Sequence, residues 1–255
     1  MAVSLLALTA ACGSEPHPRT VARKEIKTQP QLTSLRVVTL GDSLAYGAGD
    51  ENHSGIAGRL DDELRLRGIR SVETVNHGVN GAQTADLLNR LGQERLRKSI
   101  ASADAIVLSI GANDLFRTPG AREETLRNPL VVASRILDRI DAIVRELHQI
   151  NPGARILILG GYNPVPKHAY TATINQLIPM WDATVAGRFE NDPRVSIVPM
   201  YDVVSPDRLS RYDSFHPGGA AYAEAAKRIA EILVTPPHLE RAQQPEGSTG
   251  ALAAP

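Results

Sequence analysis

Between about Ser34 and Val234, short apolar runs rich in Val, Ile and Leu alternate with longer segments whose apolar positions recur every three to four residues. Parallel strands need a crossover long enough to hold a helix, so this alternation predicts βαβ units around a mostly parallel sheet. Strands are expected at 35–40, 72–76, 105–110, 155–159 and 195–199, and helices at 55–67, 84–99, 129–149, 173–190 and 218–233. In the third helix Val131, Ile136, Ile140, Ile143, Val144 and Leu147 supply the spacing of one buried face. The Asn151-Pro152-Gly153 run then stops it. Five strands with intervening helices make one α/β domain, a three-layer αβα sandwich. Open sheets of this kind place their sites beyond the carboxyl ends of the strands. The informative loops therefore follow Leu40, Asn76, Ile110, Leu159 and Met200.

Composition narrows the partners. The chain holds 28 Lys+Arg against 28 Asp+Glu, for a formal charge of zero, and 42% of it is hydrophobic. A nucleic-acid binder ordinarily carries a basic surplus, so nucleic acid is not an expected partner. The single cysteine rules out an internal disulfide framework.

The two ends differ from the middle. Residues 1–12 read as a signal segment: a short apolar run that closes with Leu8-Thr9-Ala10-Ala11-Cys12, similar to a bacterial lipobox, whose cysteine is lipidated. Residues 13–33, with Pro16, Pro18 and Pro30 among mixed charges, are expected to be a flexible tether, and 235–255 a disordered tail. The folded domain is then 34–234. Secretion across a bacterial inner membrane, with anchoring at the cell envelope through Cys12, follows as an expectation.

Four loops carry chemistry. After the first strand stands Gly41-Asp42-Ser43-Leu44-Ala45, with a serine on a glycine-flanked turn that can expose its hydroxyl. Neither a G-x-G-x-x-G fingerprint nor a phosphate-binding G-x-x-x-x-G-K-[ST] loop occurs, and Ala45 breaks the G-x-S-x-G nucleophile elbow. A serine hydroxyl needs an imidazole beside it and a carboxylate to orient that imidazole. Asp213-Ser214-Phe215-His216-Pro217 supplies both just before the last helix. After the second strand, Asn76-His77-Gly78-Val79-Asn80-Gly81 offers glycines that let a backbone N–H approach an oxyanion. After the third, Gly111-Ala112-Asn113-Asp114 offers an amide donor. Asp42 and Asp114 read as braces for their loops. His53, His77, His148 and His168 lack metal-ligand spacing, so no metal and no cofactor is expected. Trp181, with Met180 and Phe189, reads as core, and the long loops 116–128 and 161–171 read as pocket walls.

Taken in order, the GDS block, Gly81, the G-x-N-D block and the D-x-x-H-P block resemble the four sequence blocks of the SGNH, or GDSL-type, hydrolase family. The resemblance covers nearly all of residues 35–234. It implies a flavodoxin-like fold and the hydrolysis of carboxylic esters or thioesters through an acyl-enzyme. Ser43 would be the nucleophile, His216 the base and then acid, and Asp213 the group that orients it. The backbone N–H groups of Ser43 and Gly81 and the Asn113 side chain would form the oxyanion hole. The implied partner is a small-molecule, lipid or glycan ester. Two other readings use the same fold: an envelope protein that binds a glycan or lipid without hydrolysis, and an acyltransferase.

Overall fold

The computed structural model describes residues 33–115, 117 and 120–235. The signal segment with Cys12, and nearly all of the tether and the tail, lie outside the described residues. The sheet has five strands: β1 (Ser34–Gly41), β2 (Ser71–Gly78), β3 (Ala105–Ser109), β4 (Arg155–Leu159) and β5 (Val195–Val198). All are parallel, in the order β2-β1-β3-β4-β5. This is the flavodoxin-like order, whose topological switch lies between β1 and β3.

Both faces of the sheet are apolar because successive side chains point to opposite sides. Val37, Ala105, Val107, Leu157 and Leu159 pack into one core, and Val38, Leu40, Ile106, Leu108, Ile156 and Ile158 into the other. The first core is covered by α2 (Gly55–Leu66) through Ile56, Leu60 and Leu64, and by α8 (Gly219–Val234) through Ala221, Tyr222, Ala225, Ile229 and Leu233. The second is covered by α3 (Thr84–Arg90), α4 (Glu94–Ala101) and α6 (Pro129–Ile150), with Val185 from α7 (Thr171–Arg188) and the following Phe189. Between them lie α1 (Ser43–Tyr46), directly after β1, and α5 (Ala121–Arg127).

Three expectations change. The single helix over 84–99 is two helices broken at Leu91-Gly92-Gln93. The apolar spacing hides the break, because Leu87, Leu91, Leu96 and Ile100 all enter the same core. On α6 the buried stripe starts at Val132, four residues before Ile136, while Val131 is exposed. A position five residues back turns about 140° away from the stripe. The loop expected over 116–128 contains α5, a helix too short to display a period. Asn151 does end α6, and its amide also donates to the Ile100 and Ala103 carbonyls, both at 2.8 Å, tying the ends of α6 and α4 together.

One buried ion pair supports the turn that follows α1. The Asp50 carboxylate accepts from the backbone N–H groups of Asn52 (3.1 Å), Ser54 (2.9 Å) and Gly55 (2.6 Å), and pairs with Arg59 on α2. Burial raises the Asp50 carboxyl, but the Arg59 guanidinium and these N–H groups outweigh it and hold it at about 2. The stability this brings is present above the ordinary carboxylate range and is lost as pH falls toward 2. Arg59→Ala leaves the buried carboxylate without its counter-ion, at a cost of about 3–5 kcal/mol. Thermal unfolding should show Tm lowered by about 10 °C; an unchanged Tm would show that the backbone donors alone suffice.

Candidate active site

The chain leaves β1 through Gly41, whose φ of +121° and position against β3 admit no side chain: a Cβ there would lie 1.8 Å from the Ser109 carbonyl oxygen. The Asp42 N–H donates to that same oxygen at 2.8 Å. Asp42 then caps α1. Its Oδ1 accepts from the Leu44 N–H at 3.1 Å and from the Ser109 hydroxyl at 2.7 Å. Ser43 is thereby the first residue of α1, 7% exposed, and its own N–H lies in the first turn, where a helix has no internal acceptor. Burial pushes the Asp42 carboxyl up to about 6, against the hydrogen bonds from Ser109 and Leu44 and the favourable charge of His216.

The second element is the turn before α8. Asp213 Oδ1 accepts from the backbone N–H groups of Phe215 and His216, both at 2.9 Å, while Oδ2 lies 2.6 Å from His216 Nδ1. Ser214, between them, adopts φ +54° to close the turn. Burial would raise the Asp213 carboxyl, but the imidazole and the two N–H donors outweigh it and hold it below the usual carboxylate range. An ionised carboxylate has nothing to donate, so the proton of this contact belongs to Nδ1, which leaves Nε2 as the acceptor.

The serine turn and the histidine turn are fastened to each other. Gly49 (φ +84°) touches the histidine turn so closely that a Cβ would lie 2.6 Å from His216 Cβ. The Tyr222 hydroxyl donates to the Ala48 carbonyl at 2.7 Å, and Glu51 accepts from the Gly219 N–H at 2.8 Å. On the far side the Tyr162 hydroxyl, from the loop after β4, donates to the Phe215 carbonyl at 3.1 Å. Burial, together with Asp42 and Asp213, raises the Tyr162 phenol, so it stays a neutral donor.

The two loops expected to hold an oxyanion also meet. Gly81 is buried and takes φ +79°, and a Cβ there would strike the Arg117 guanidinium. Gly78 has another task. Its N–H is used by the Asn76 side chain at 2.8 Å, and a Cβ would run into the backbone of α1 at Tyr46. Asn113 Nδ2 donates to the Ala82 carbonyl at 3.0 Å, which places its amide beside Gly81 and leaves one N–H in hand. Asp114 braces the same junction by accepting from the Thr84 N–H (2.9 Å) and hydroxyl (2.5 Å) and pairing with Arg139 at 3.2 Å.

Asp42, Ser43 and Asn113 open on one cavity of about 680 Å³, whose further walls come from both long loops and from α7. Trp181 packs against the second core, as expected, and also lines this cavity, while Phe189 is core and Met180 is exposed. Tyr162 falls in the 161–171 loop expected as a pocket wall, whereas the place of Trp181 on the cavity did not stand out in the sequence. The one available signal was Gly160-Gly161, where α7 approaches the end of β4 so closely that a Cβ on Gly160 would meet the Asp182 carboxylate. That carboxylate accepts from the Gly161 N–H at 2.9 Å and is pushed up to about 6 by burial. Among the described residues no group of three or more His, Cys, Asp or Glu side chains is placed to hold a metal ion.

A parallel αβα sandwich with these loops at the carboxyl end of its sheet is the frame of an ester-hydrolysing α/β enzyme. The chain belongs to the GDSL-like lipase/acylhydrolase family, whose model matches residues 39–224, well over half of it. A relative in Bacillus subtilis (strain 168), the uncharacterized protein YpmR, is 28% identical over 247 residues, covering 90% of this chain and 93% of that one. Among solved structures, the lipase Lip_vut3 from a goat rumen metagenome superposes with a TM-score of 0.65 at 20% identity, over 77% of this chain and 96% of its own. The acetylxylan esterase Axe2 of Geobacillus stearothermophilus, solved as a catalytic mutant, superposes with a TM-score of 0.58 at 15% identity, over 81% and 98%.

The buried Asp42 has a measurable signature. Its folded value of about 6 lies above the ordinary 3.8, so the fold favours the protonated form. The cost of burying the carboxylate therefore grows as pH rises from 3.8 and is complete above 6. Asp42→Asn keeps an acceptor for Leu44 and Ser109 but carries no charge. Relative to the wild type, the variant should gain on the order of 2–3 kcal/mol between pH 4 and pH 8. Urea unfolding of both proteins at the two pH values checks this, and a pH-independent difference would contradict it.

Proposed function

We propose that the chain cleaves carboxylic esters through a covalent acyl-enzyme on Ser43. His216 Nε2 takes the Ser43 proton as Oγ bonds to the ester carbonyl carbon. The oxygen that becomes negative is met by the N–H groups of Ser43 and Gly81 and by Asn113 Nδ2. Collapse expels the alcohol, which takes the proton back from His216, and water repeats the sequence to release the acid. The observation that carries this reading is the 2.6 Å contact of Asp213 with His216 Nδ1, on a turn bound to the one that presents Ser43. It supplies the correct tautomer and stabilises the imidazolium that forms.

On this reading Ser43→Ala lowers kcat by about three to six orders of magnitude with the fold intact. A fluorophosphonate probe labels the wild type and not the variant. Asn113→Ala lowers kcat by about a hundredfold or more, with a smaller change in KM. Wild-type turnover of an activated ester by Ser43→Ala would refute the assignment.

The same proposal places the enzyme at the bacterial envelope, held by a lipidated Cys12 with residues 13–33 as leash. The support is the apolar run that ends at the sole cysteine and gives way to a polar, proline-bearing segment. Cys12→Ala should move the protein out of the detergent-soluble membrane fraction of a bacterial host. A wild-type protein found wholly soluble, with its mature N-terminus elsewhere, would remove the anchor and leave Ser43 untouched.

A further inference from the structure

Beyond Ser43 the cavity changes character. The polar groups lie at the Ser43 end: Asp42 is engaged with Ser109, and Asn113 is held by Ala82 with one N–H left over. Outward the walls are Leu115, Leu126, Ile174, Leu177, Ile178 and Trp181. Thr125 is nominally polar, but its O–H is shared between the Leu115 and Ala121 carbonyls, both at 2.8 Å, so it has no proton to donate to a ligand. Among the described lining residues, the side-chain hydrogen-bonding groups left along this stretch are few and scattered: Arg122, His168, the Tyr170 hydroxyl and the Trp181 indole N–H. A sugar ring would lose its water and find few replacements there, at a cost for each unpaired hydroxyl. An alkyl chain loses nothing and gains burial.

The outer rim points the same way. Leu126, Tyr170 and Leu177 line the cavity yet are 75%, 66% and 55% exposed. Large apolar side chains gathered at the mouth of an apolar cavity are covered when an apolar ligand enters. Two glycines make the room: Gly160 and Gly161 let α7 stand against the end of β4, with Ile178 at 3.2 Å from where a Gly161 Cβ would lie.

We infer that this cavity is the acyl site and that it takes a long aliphatic chain, of about eight carbons or more, in place of an acetyl group. The inference rests on the acyl-enzyme reading for its chemistry, but the site binds the chain whether or not Ser43 reacts. Ile174, Ile178 and Trp181 are its specificity-determining residues.

The test uses the full chain and p-nitrophenyl esters from acetate to dodecanoate, each below its micelle concentration. Burial of each added methylene should raise kcat/KM by up to about fourfold, so the octanoate exceeds the acetate by about a hundredfold or more. Ile178→Trp and, separately, Ile174→Trp should lower the ratio of dodecanoate to acetate kcat/KM at least tenfold. Displacement of a fluorescent fatty acid by dodecanoate, measured on Ser43→Ala, reads the site without catalysis and should weaken in Ser43→Ala/Ile178→Trp. A dodecanoyl lysophospholipid and a dodecanoyl thioester, assayed side by side, identify the portion that presents the chain, and turnover of either supports the inference. Dodecanoate binding to a protein that hydrolyses no ester would overturn the acyl-enzyme and keep the site. A profile that is flat or falls from acetate onward, without dodecanoate binding, overturns the site and keeps the hydrolase.

Discussion

Ser43 and His216 come from opposite ends of the domain, and what unites them is the tight turn after α1. Gly47 and Gly49, both with positive φ, fold the chain back so that Ala48 meets Tyr222 and Glu51 meets the first N–H of α8. Asp50 then closes the turn by gathering three backbone N–H groups and Arg59. The helices supply Tyr222 and Gly219 from α8 and Gly55 and Arg59 from α2, while Asn52 and Ser54 add donors from the loop itself. The relative placement of the Ser43 and His216 turns is therefore tied to the packing of α2 and α8 in the first core.

Two carboxylates near the serine are pushed in opposite directions, and the difference separates their work. Asp213 has three donors and partial exposure, so it stays ionised and can balance a positive imidazole. Asp42, at the buried margin of the cavity, has fewer donors, so burial governs it and its charge is costly. Its hydrogen bonds to Leu44 and Ser109 hold α1 against β3 in compensation. The first carboxylate is placed to hold the imidazole, and the second to hold the serine turn.

Much of this was legible in the chain itself because it lay in local patterns. Strand positions followed from apolar runs that both cores demand, and the candidate catalytic residues from short blocks placed after strands. Gly81 and Gly78 could not be separated by sequence; their roles diverge through an Asn76 side chain and the approach of α1, both tertiary facts. The break between α3 and α4 left no trace because both pieces serve one core. The long loops were legible as cavity walls, but the contribution of α7 was not: Trp181 read as core, and only the position of α7 over Gly160 and Gly161 brings it, with Ile178, to the cavity.

Tyr162 belongs to two structures at once: it forms part of the cavity wall, and its hydroxyl holds the loop that carries His216. Remodelling the cavity at Tyr162 therefore moves the His216 turn as well, whereas Ile174, Ile178 and Trp181 line the cavity from α7. A change of side chain at Ile174 or Ile178 reshapes the cavity and leaves the Tyr162–Phe215 hydrogen bond in place. The two walls are thus open to variation to different degrees, the α7 wall more than the wall at Tyr162.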